Sequence, residues 1–224
     1  MIQHESRARR TFSLNCSCIP RVGYTLGSRK TTEALTADMP GYAYAVLATG
    51  SLIWFVPFLL IKRNTAAPQK LDPRARWGIL LVVLAYTLLW QNSFWARPLS
   101  LWRLGSSLFF LALAALFSWT GARALGRQWR IDAGLNADHQ LVRSGPYSVV
   151  RHPIYTSMLS LLLGTGFLIT SMPVLLIATV LFMVGTEIRV RIEDRLLSSH
   201  FGEEFENYRK SVPAYIPFWR KWAL

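Results

Sequence analysis

Residues 152–190, HPIYTSMLSLLLGTGFLITSMPVLLIATVLFMVGTEIRV, are the most informative part of the sequence about the fold. They contain two apolar segments, residues 154–172 and residues 174 to about 188, with a proline between them. Each approaches the roughly 20 residues that a helix, rising about 1.5 Å per residue, needs to cross a bilayer. We therefore predict a hairpin of two membrane helices whose open ends lie on the same face of the membrane.

Three further apolar blocks precede this hairpin and bring the predicted number of membrane helices to five. They span residues 42–61, 77–95 and 104–122, and they hardly show the polar stripe of a soluble amphipathic helix. The whole chain is 52% hydrophobic. We predict an all-α integral membrane protein with about five transmembrane helices, a cytoplasmic loop and a C-terminal amphipathic helix.

The basic residues indicate how such a protein is oriented. The formal net charge is +13, and 17 of the 25 Lys and Arg residues fall in residues 62–76, residues 123–151 and the tail from residue 189. Five crossings place these three segments on one side, and the positive-inside rule makes that side the cytoplasm. The charge therefore favours membrane topology and contact with anionic lipid headgroups over nucleic-acid binding.

Residues 1–40 do not fit this scheme. They carry six basic residues that would have to cross the membrane, and they lack the apolar core of a signal peptide. We interpret them as an N-terminal extension, disordered or not native, with Met39 as an alternative start, and residues 41–224 as a single membrane-embedded domain. Cys16 and Cys18 lie in this extension, and no HxH or HExxH pattern occurs elsewhere, so no metal site is predicted.

After the hairpin the chain becomes amphipathic. Leu197, Phe201, Phe205 and Tyr208 recur at three- and four-residue steps among charged residues. We expect the fifth helix to continue into this segment, which could lie on the membrane surface or close over a site.

Polar residues cluster at both open ends of the hairpin. Helix rise and bilayer thickness bring His152 and Tyr155 towards Arg189 and Glu193, and ionisable groups at a hydrocarbon boundary tend to mark a site. Taken singly, each polar residue at these ends has an ordinary explanation. Arg151 could be a snorkelling membrane anchor. Asp194, the acid after Glu193, could be solvated and paired with a nearby arginine.

The order of these motifs resembles the isoprenylcysteine carboxyl methyltransferase family, to which the phospholipid methyltransferases are related. The resemblance covers roughly residues 125–218. It departs from the family at Asp194, where glutamate is usual, and at Phe205, where tyrosine is usual. It is carried by HQLVRSGPY (139–147), RHPIY (151–155), Glu193-Asp194, FGEEF (201–205), Tyr208 and Val212-Pro213.

The resemblance implies an S-adenosylmethionine-dependent membrane methyltransferase acting on a lipidic or prenylated carboxylate. Arg189 matches the position that contacts the acceptor carboxylate. The positions that match the cofactor pocket are His139, Gln140, Leu141, Val142, Tyr147, His152, Pro153, Ile154, Tyr155 and Glu193.

Three other functions stay open from the sequence. A lipid-amine N-methyltransferase would need a base near the methyl group, and His152 or Glu193 could serve. A sterol or isoprenoid reductase using NADPH would bind its 2′-phosphate through arginines, although no G-x-G-x-x-G fingerprint is present. A membrane scaffold or transport component is the alternative without catalysis.

Overall fold

Six α-helices form the part of the chain that the computed structural model describes, which is residues 41–61, 70–71, 73–90, 100–126, 134–135 and 140–217. A 3₁₀ turn spans Gly145–Ser148, and strands β1 (Lys70–Leu71) and β2 (Gly134–Leu135) pair antiparallel. The predicted all-α membrane class is confirmed. The helices are α1 (Gly41–Leu60), α2 (Ala75–Leu88), α3 (Leu101–Leu125), α4 (Pro153–Ile169), α5 (Met172–Phe201) and α6 (Glu203–Ser211).

The first five helices correspond to the five predicted apolar blocks. By length and composition α1, α3 and α5 are each able to cross a membrane, and α2 and α4 are shorter apolar helices of 14 and 17 residues. The block predicted to end at residue 95 extends past the described residues. Large apolar side chains are exposed along α1, α2, α3 and α5, as lipid contact requires. The chain is therefore a multi-pass membrane protein.

The main apolar core lies where α2, α4 and α5 meet. Tyr86 of α2 crosses this core, donating from its hydroxyl to Met158 O of α4 at 2.7 Å and meeting the Phe182 ring of α5 edge-on. The fully or nearly buried members of the core are Ala43, Leu47, Val82, Ala85, Leu89, Leu162, Leu168, Ile169, Leu175, Ala178 and Phe182.

Pro57 lies inside α1, where its ring nitrogen cannot donate to the carbonyl of Ile53, four residues earlier. The indole nitrogen of Trp119, on α3, donates to that carbonyl at 2.9 Å. Ser118 donates in the same way to Trp54 O at 2.6 Å. Since neighbouring side chains satisfy the backbone, the proline is tolerated within a membrane helix.

The turn between α4 and α5 is held by a buried arginine from α3. Arg103 donates from Nε to Phe167 O at 2.8 Å and from Nη2 to Thr170 O. Carbonyls in the last turn of a helix lack partners within it, and a cation there also interacts favourably with the negative end of the helix dipole. Arg103 thus fixes the closed end of the hairpin, at the opposite end from the polar cluster.

Helices α2 and α5 cross at two glycines. A Cβ atom built on Gly185 would lie 2.7 Å from Gly78 O, and one built on Gly78 would lie 2.6 Å from Gly185 O. Small residues permit this separation between membrane helices, since any side chain would push the backbones apart. The crossing sets the position of α2 beside the last turns of α5.

Helix α5 continues beyond the apolar block, as expected, and the predicted C-terminal amphipathic helix is present, but Gly202 divides the segment into the end of α5 and the separate helix α6. The 30 residues of α5 span about 45 Å, so about ten residues extend past a hydrocarbon layer of about 30 Å. The helix ends at Phe201 because Gly202 takes a φ of 56°, and α6 then starts in a new direction. The predicted spacing of Phe205 and Tyr208 does describe the buried face of α6.

Candidate functional site

The cluster is assembled from the two ends of the hairpin. His152 occupies the N-cap position of α4. Pro153 follows in the first turn, where a residue without a backbone N–H is tolerated because that group would have no partner within the helix. Arg189 and Glu193 lie four residues apart on α5 and so share one face of that helix. Tyr155, one turn into α4, faces them.

These four side chains are in direct contact, so the predicted juxtaposition is confirmed. Arg189 Nε lies 2.5 Å from Tyr155 Oη, and its Nη2 lies 3.2 Å from Glu193 Oε1. The Tyr155 hydroxyl donates to the same carboxylate oxygen. His152 Nδ1 lies 3.4 Å from Glu193 Oε2. Glu193 is therefore approached by an arginine, a tyrosine and a histidine, and 23% of its side chain stays exposed.

Asp194 lies in the same network, and its interpretation as a solvated acid is wrong. It is buried, with its Oδ1 atom 2.9 Å from His152 Nε2 and its Oδ2 atom 2.8 Å from Arg151 Nη2. Arg151 is also buried, which excludes its interpretation as an exposed membrane anchor. The two acids thus contact opposite nitrogens of one imidazole.

The two acids determine the charge of His152. Burial opposes protonation of the ring, but the hydrogen bonds and charges of Asp194 and Glu193 outweigh it and raise the pKa of His152 to about 9. The imidazole is therefore a cation at neutral pH, with Nε2 hydrogen-bonded to Asp194 and Nδ1 in an ion pair with Glu193.

The last turn of α6 and the residues after it, 209–215, pack over the start of α4, and we call this segment the strap. The backbone nitrogen of Arg151 donates to Pro213 O at 2.9 Å, and that of His152 donates to Ala214 O at 2.8 Å. The Arg151 guanidinium also donates to the carbonyls of Arg209, at 3.1 Å, and Val212, at 2.5 Å. The strap therefore holds the two residues that contact Asp194.

Buried hydroxyl groups fix the strap and α6 to the rest of the site. Thr156 donates to Tyr215 O at 2.6 Å, and the Tyr215 side chain packs with Tyr155. The Tyr208 hydroxyl donates to Tyr147 O in the 3₁₀ turn at 2.5 Å. Burial raises the pKa of both Tyr147 and Tyr208, so both phenols stay protonated and Tyr208 remains a donor.

Two of the other predicted cofactor residues, Pro153 and Ile154, pack against other parts of the helical bundle. Pro153 lies against Gly121 of α3, and Ile154 packs in a small cluster with Phe58. His139 lies outside the described residues. Gln140 is exposed at the start of the described segment, and Leu141 and Val142 are half-buried. Their roles stay predictions.

We expect Asp194→Ala to destabilise the protein by about 3–5 kcal/mol, because it leaves Arg151 buried without its carboxylate. The measurement is unfolding of detergent-solubilised protein by increasing SDS. Glu204→Ala is the matched control, since it breaks the Arg143–Glu204 pair, whose side chains are each 51% exposed. The free energy of unfolding of that control should fall by less than about 1 kcal/mol. Equal losses in the two variants would contradict a buried network.

Stability should also depend on pH through His152. A histidine whose folded pKa is about 9, against 6.5 for the ordinary group, stabilises the fold fully below pH 6.5. That contribution is lost as the pH rises to about 9. We expect the unfolding midpoint of the wild type to fall across this interval and the fall to be smaller in His152→Gln. Identical profiles for the two proteins would exclude a charged His152.

Fold and site together define a class: a multi-pass membrane protein with a buried acid–arginine–histidine cluster at the open end of a helical hairpin. The family described as phospholipid methyltransferase matches residues 102–204. The protein-S-isoprenylcysteine O-methyltransferase of Schizosaccharomyces pombe is 33% identical over 160 residues, covering 64% of this chain and 67% of that protein. The chain belongs to this family of phospholipid and isoprenylcysteine methyltransferases, whose enzymes use S-adenosylmethionine.

Two metal-resistance proteins are similar to the same degree. The cobalt-zinc-cadmium resistance protein CzcN of Cupriavidus metallidurans is 32% identical over 155 residues, which is 64% of this chain and 64% of that protein. The nickel-cobalt-cadmium resistance protein NccN of Alcaligenes xylosoxydans xylosoxydans is 29% identical over 159 residues, 68% of this chain and 70% of that protein. The chain thus matches about two thirds of the length of each relative.

Proposed function

We propose that this protein is an S-adenosylmethionine-dependent membrane methyltransferase that esterifies the carboxylate of a lipidic or prenylated acceptor. The observation that supports this most directly is the contact of Arg189 with Tyr155 and Glu193 where the apolar part of the hairpin ends. A lipid chain can lie along the membrane helices while its polar end reaches this cluster. The family supports methyl transfer over the reductase alternative.

The residues present suit the cofactor. S-adenosylmethionine supplies a methyl group that is already activated on a sulfonium. Its ammonium group and ribose hydroxyls need acceptors, and Glu193 has a partly exposed carboxylate suited to either. The ring of Tyr155, next to this carboxylate, can face a cationic centre. Asp194 is less suited, since both its oxygens are engaged by Arg151 and His152.

Arg189 suits a carboxylate acceptor. Its planar guanidinium presents donors in a fork that matches two carboxylate oxygens. It is 6% exposed, and Tyr155 and Glu193 fix the direction of its side chain. A carboxylate held there needs no base, so the protein has only to align the nucleophile with the methyl group.

The charge of His152 argues against an amine acceptor at this site. An amine must lose a proton before it can attack, and a base is therefore required. Because His152 has a pKa of about 9 and contacts acids through both nitrogens, it holds a proton rather than accepting one at neutral pH. Methylation of a phospholipid amine at this site would therefore have to rely on Glu193 as the base, whereas a carboxylate acceptor needs none.

We also propose that the cluster and the strap face the cytoplasm and that the partners are membrane lipids and the lipidic substrate. The asymmetry of Lys and Arg supports this orientation. A reporter that is active only in the cytoplasm, fused after the C-terminal residue Leu224, should be active. Activity only of an exported reporter fused there would reverse the orientation.

The function is tested by incubating the purified protein in vesicles with methyl-labelled S-adenosylmethionine. The two acceptors compared are N-acetyl-S-farnesylcysteine and phosphatidylethanolamine. Label transferred to the prenylcysteine should be released as methanol by mild alkali, because an ester hydrolyses and an N-methyl group does not. Alkali-stable label on phosphatidylethanolamine alone would establish the lipid-amine alternative, and absence of transfer to either acceptor would refute the proposed acceptor classes.

A further inference from the structure

Gly78 of α2 lies against the side chain of Arg189. A Cβ atom built on Gly78 would be 2.6 Å from Arg189 Cγ and 3.4 Å from its Cδ. Contacts below 3.0 Å are essentially never found for real Cβ atoms. The aliphatic part of Arg189 therefore runs through space that exists only because residue 78 has no side chain.

The partner glycine at this crossing does not have the same contact. A Cβ atom on Gly185 would meet Gly78 O at 2.7 Å, Leu81 Cβ at 2.9 Å and Val82 N at 3.1 Å, all of them on α2. Both glycines therefore allow the helices to approach. Of the two, only Gly78 has Arg189 among its three nearest neighbours, so its second role is separable from the helix crossing.

We propose that Gly78 is a positioning residue that sets the direction of the Arg189 side chain and so makes α2 part of the acceptor site. The path of Arg189 is bounded by Gly78 on one side, and its guanidinium is held by Tyr155 and Glu193. A methyl group at residue 78 would displace Cγ by about 1 Å to restore ordinary contact. The functional consequence rests on the proposed role of Arg189 in binding the acceptor.

A displacement of this size matters for the alignment of the acceptor with the methyl group but not for Glu193, the residue proposed to bind the cofactor. A misplacement of about 1 Å can lower turnover by about 100-fold. Gly78 contacts the aliphatic part of Arg189, whereas Glu193 is also held by His152, which in turn pairs with Asp194. Gly78→Ala should therefore lower kcat/KM for N-acetyl-S-farnesylcysteine by at least 10-fold, while the Kd for S-adenosylmethionine changes less than 3-fold.

Two comparisons make this test specific. Gly185→Ala forces the same helices apart without reaching Arg189, so its loss of kcat/KM should be clearly smaller than that of Gly78→Ala. In Arg189→Ala no Cγ is present, so adding Gly78→Ala should lower turnover only by the smaller amount that Gly185→Ala causes through the helix crossing. Equal losses in Gly78→Ala and Gly185→Ala, or additive losses in the double variant, would overturn the proposal.

A readout without turnover separates this proposal from the proposed function. The Nε–H of Arg189 donates to Tyr155, so its NMR signal, assigned by its loss in Arg189→Lys, should exchange slowly with solvent. Exchange should remain slow in Gly185→Ala and become faster in Gly78→Ala. Should the wild type methylate neither acceptor, the proposed function fails and this comparison still decides the role of Gly78. An unchanged exchange rate of the Arg189 Nε–H in Gly78→Ala would exclude a positioning role for Gly78.

Discussion

Glu193→Ala is expected to raise the Kd for S-adenosylmethionine by about 100-fold or more while the protein still inserts into membranes. Charge-assisted hydrogen bonds from a ligand to a carboxylate contribute about 1.5–3 kcal/mol each, and a loss of about 3 kcal/mol corresponds to about 100-fold in affinity. The Glu193 carboxylate joins His152, Tyr155 and Arg189, and its side chain is 23% exposed. Calorimetric titration of the detergent-purified variant measures the effect.

His152→Ala should have a similar effect on binding, because it removes the cationic contact that orients Glu193 from the start of α4. Glu187→Ala is the control for both variants. It removes an acid from the same helix, but Glu187 pairs with the exposed Arg191 outside the cluster. Its Kd should stay within about 3-fold of the wild type. Wild-type affinity in both Glu193→Ala and His152→Ala would exclude the cluster from the cofactor site.

Arg189→Ala is expected to reduce turnover of a carboxylate acceptor by about 100-fold or more and to affect cofactor binding much less. The loss follows because the acceptor is no longer held in line with the methyl group, which is an effect of orientation. Arg189→Lys should recover only part of the activity, since an ammonium lacks the guanidinium fork. Initial rates and cofactor titrations on the same preparations give the two quantities.

The opposite result is equally informative. If Arg189→Ala loses cofactor affinity but retains turnover at saturating S-adenosylmethionine, Arg189 belongs to the cofactor pocket. Its contact with Glu193 makes such an outcome physically possible, and only the separation of kcat from Kd distinguishes the two roles.

The hairpin and the contacts at its open end could be predicted because they depend on few quantities. Segment length, helix rise and bilayer thickness are sufficient to bring His152 and Tyr155 to Arg189 and Glu193. The five apolar helices follow from composition for the same reason. No knowledge of side-chain packing was needed for either.

Features that depend on the direction of a side chain were not predictable in this way. Asp194 follows Glu193 by one residue, and its burial depends on Arg151 and the strap, whose path the sequence pattern does not define. The break at Gly202 was missed because the apolar spacing of the amphipathic segment continues across it. A glycine in that pattern was the available signal.

Gly78 illustrates a further limit. A single glycine in an apolar helix indicates close packing, but the sequence does not show which side chain fills the space that it leaves. The contact with Arg189 depends on how α2 and α5 cross, and that crossing exists only in three dimensions.

Whether the cluster binds a methyl donor is measured by calorimetric titration of the detergent-purified wild-type protein with S-adenosylmethionine and, separately, with NADPH. We predict saturable binding of S-adenosylmethionine with a stoichiometry near one and no binding of NADPH. Binding of NADPH without S-adenosylmethionine binding, or binding of neither, would contradict the assignment of the His152–Glu193 cluster to a methyl-donor site.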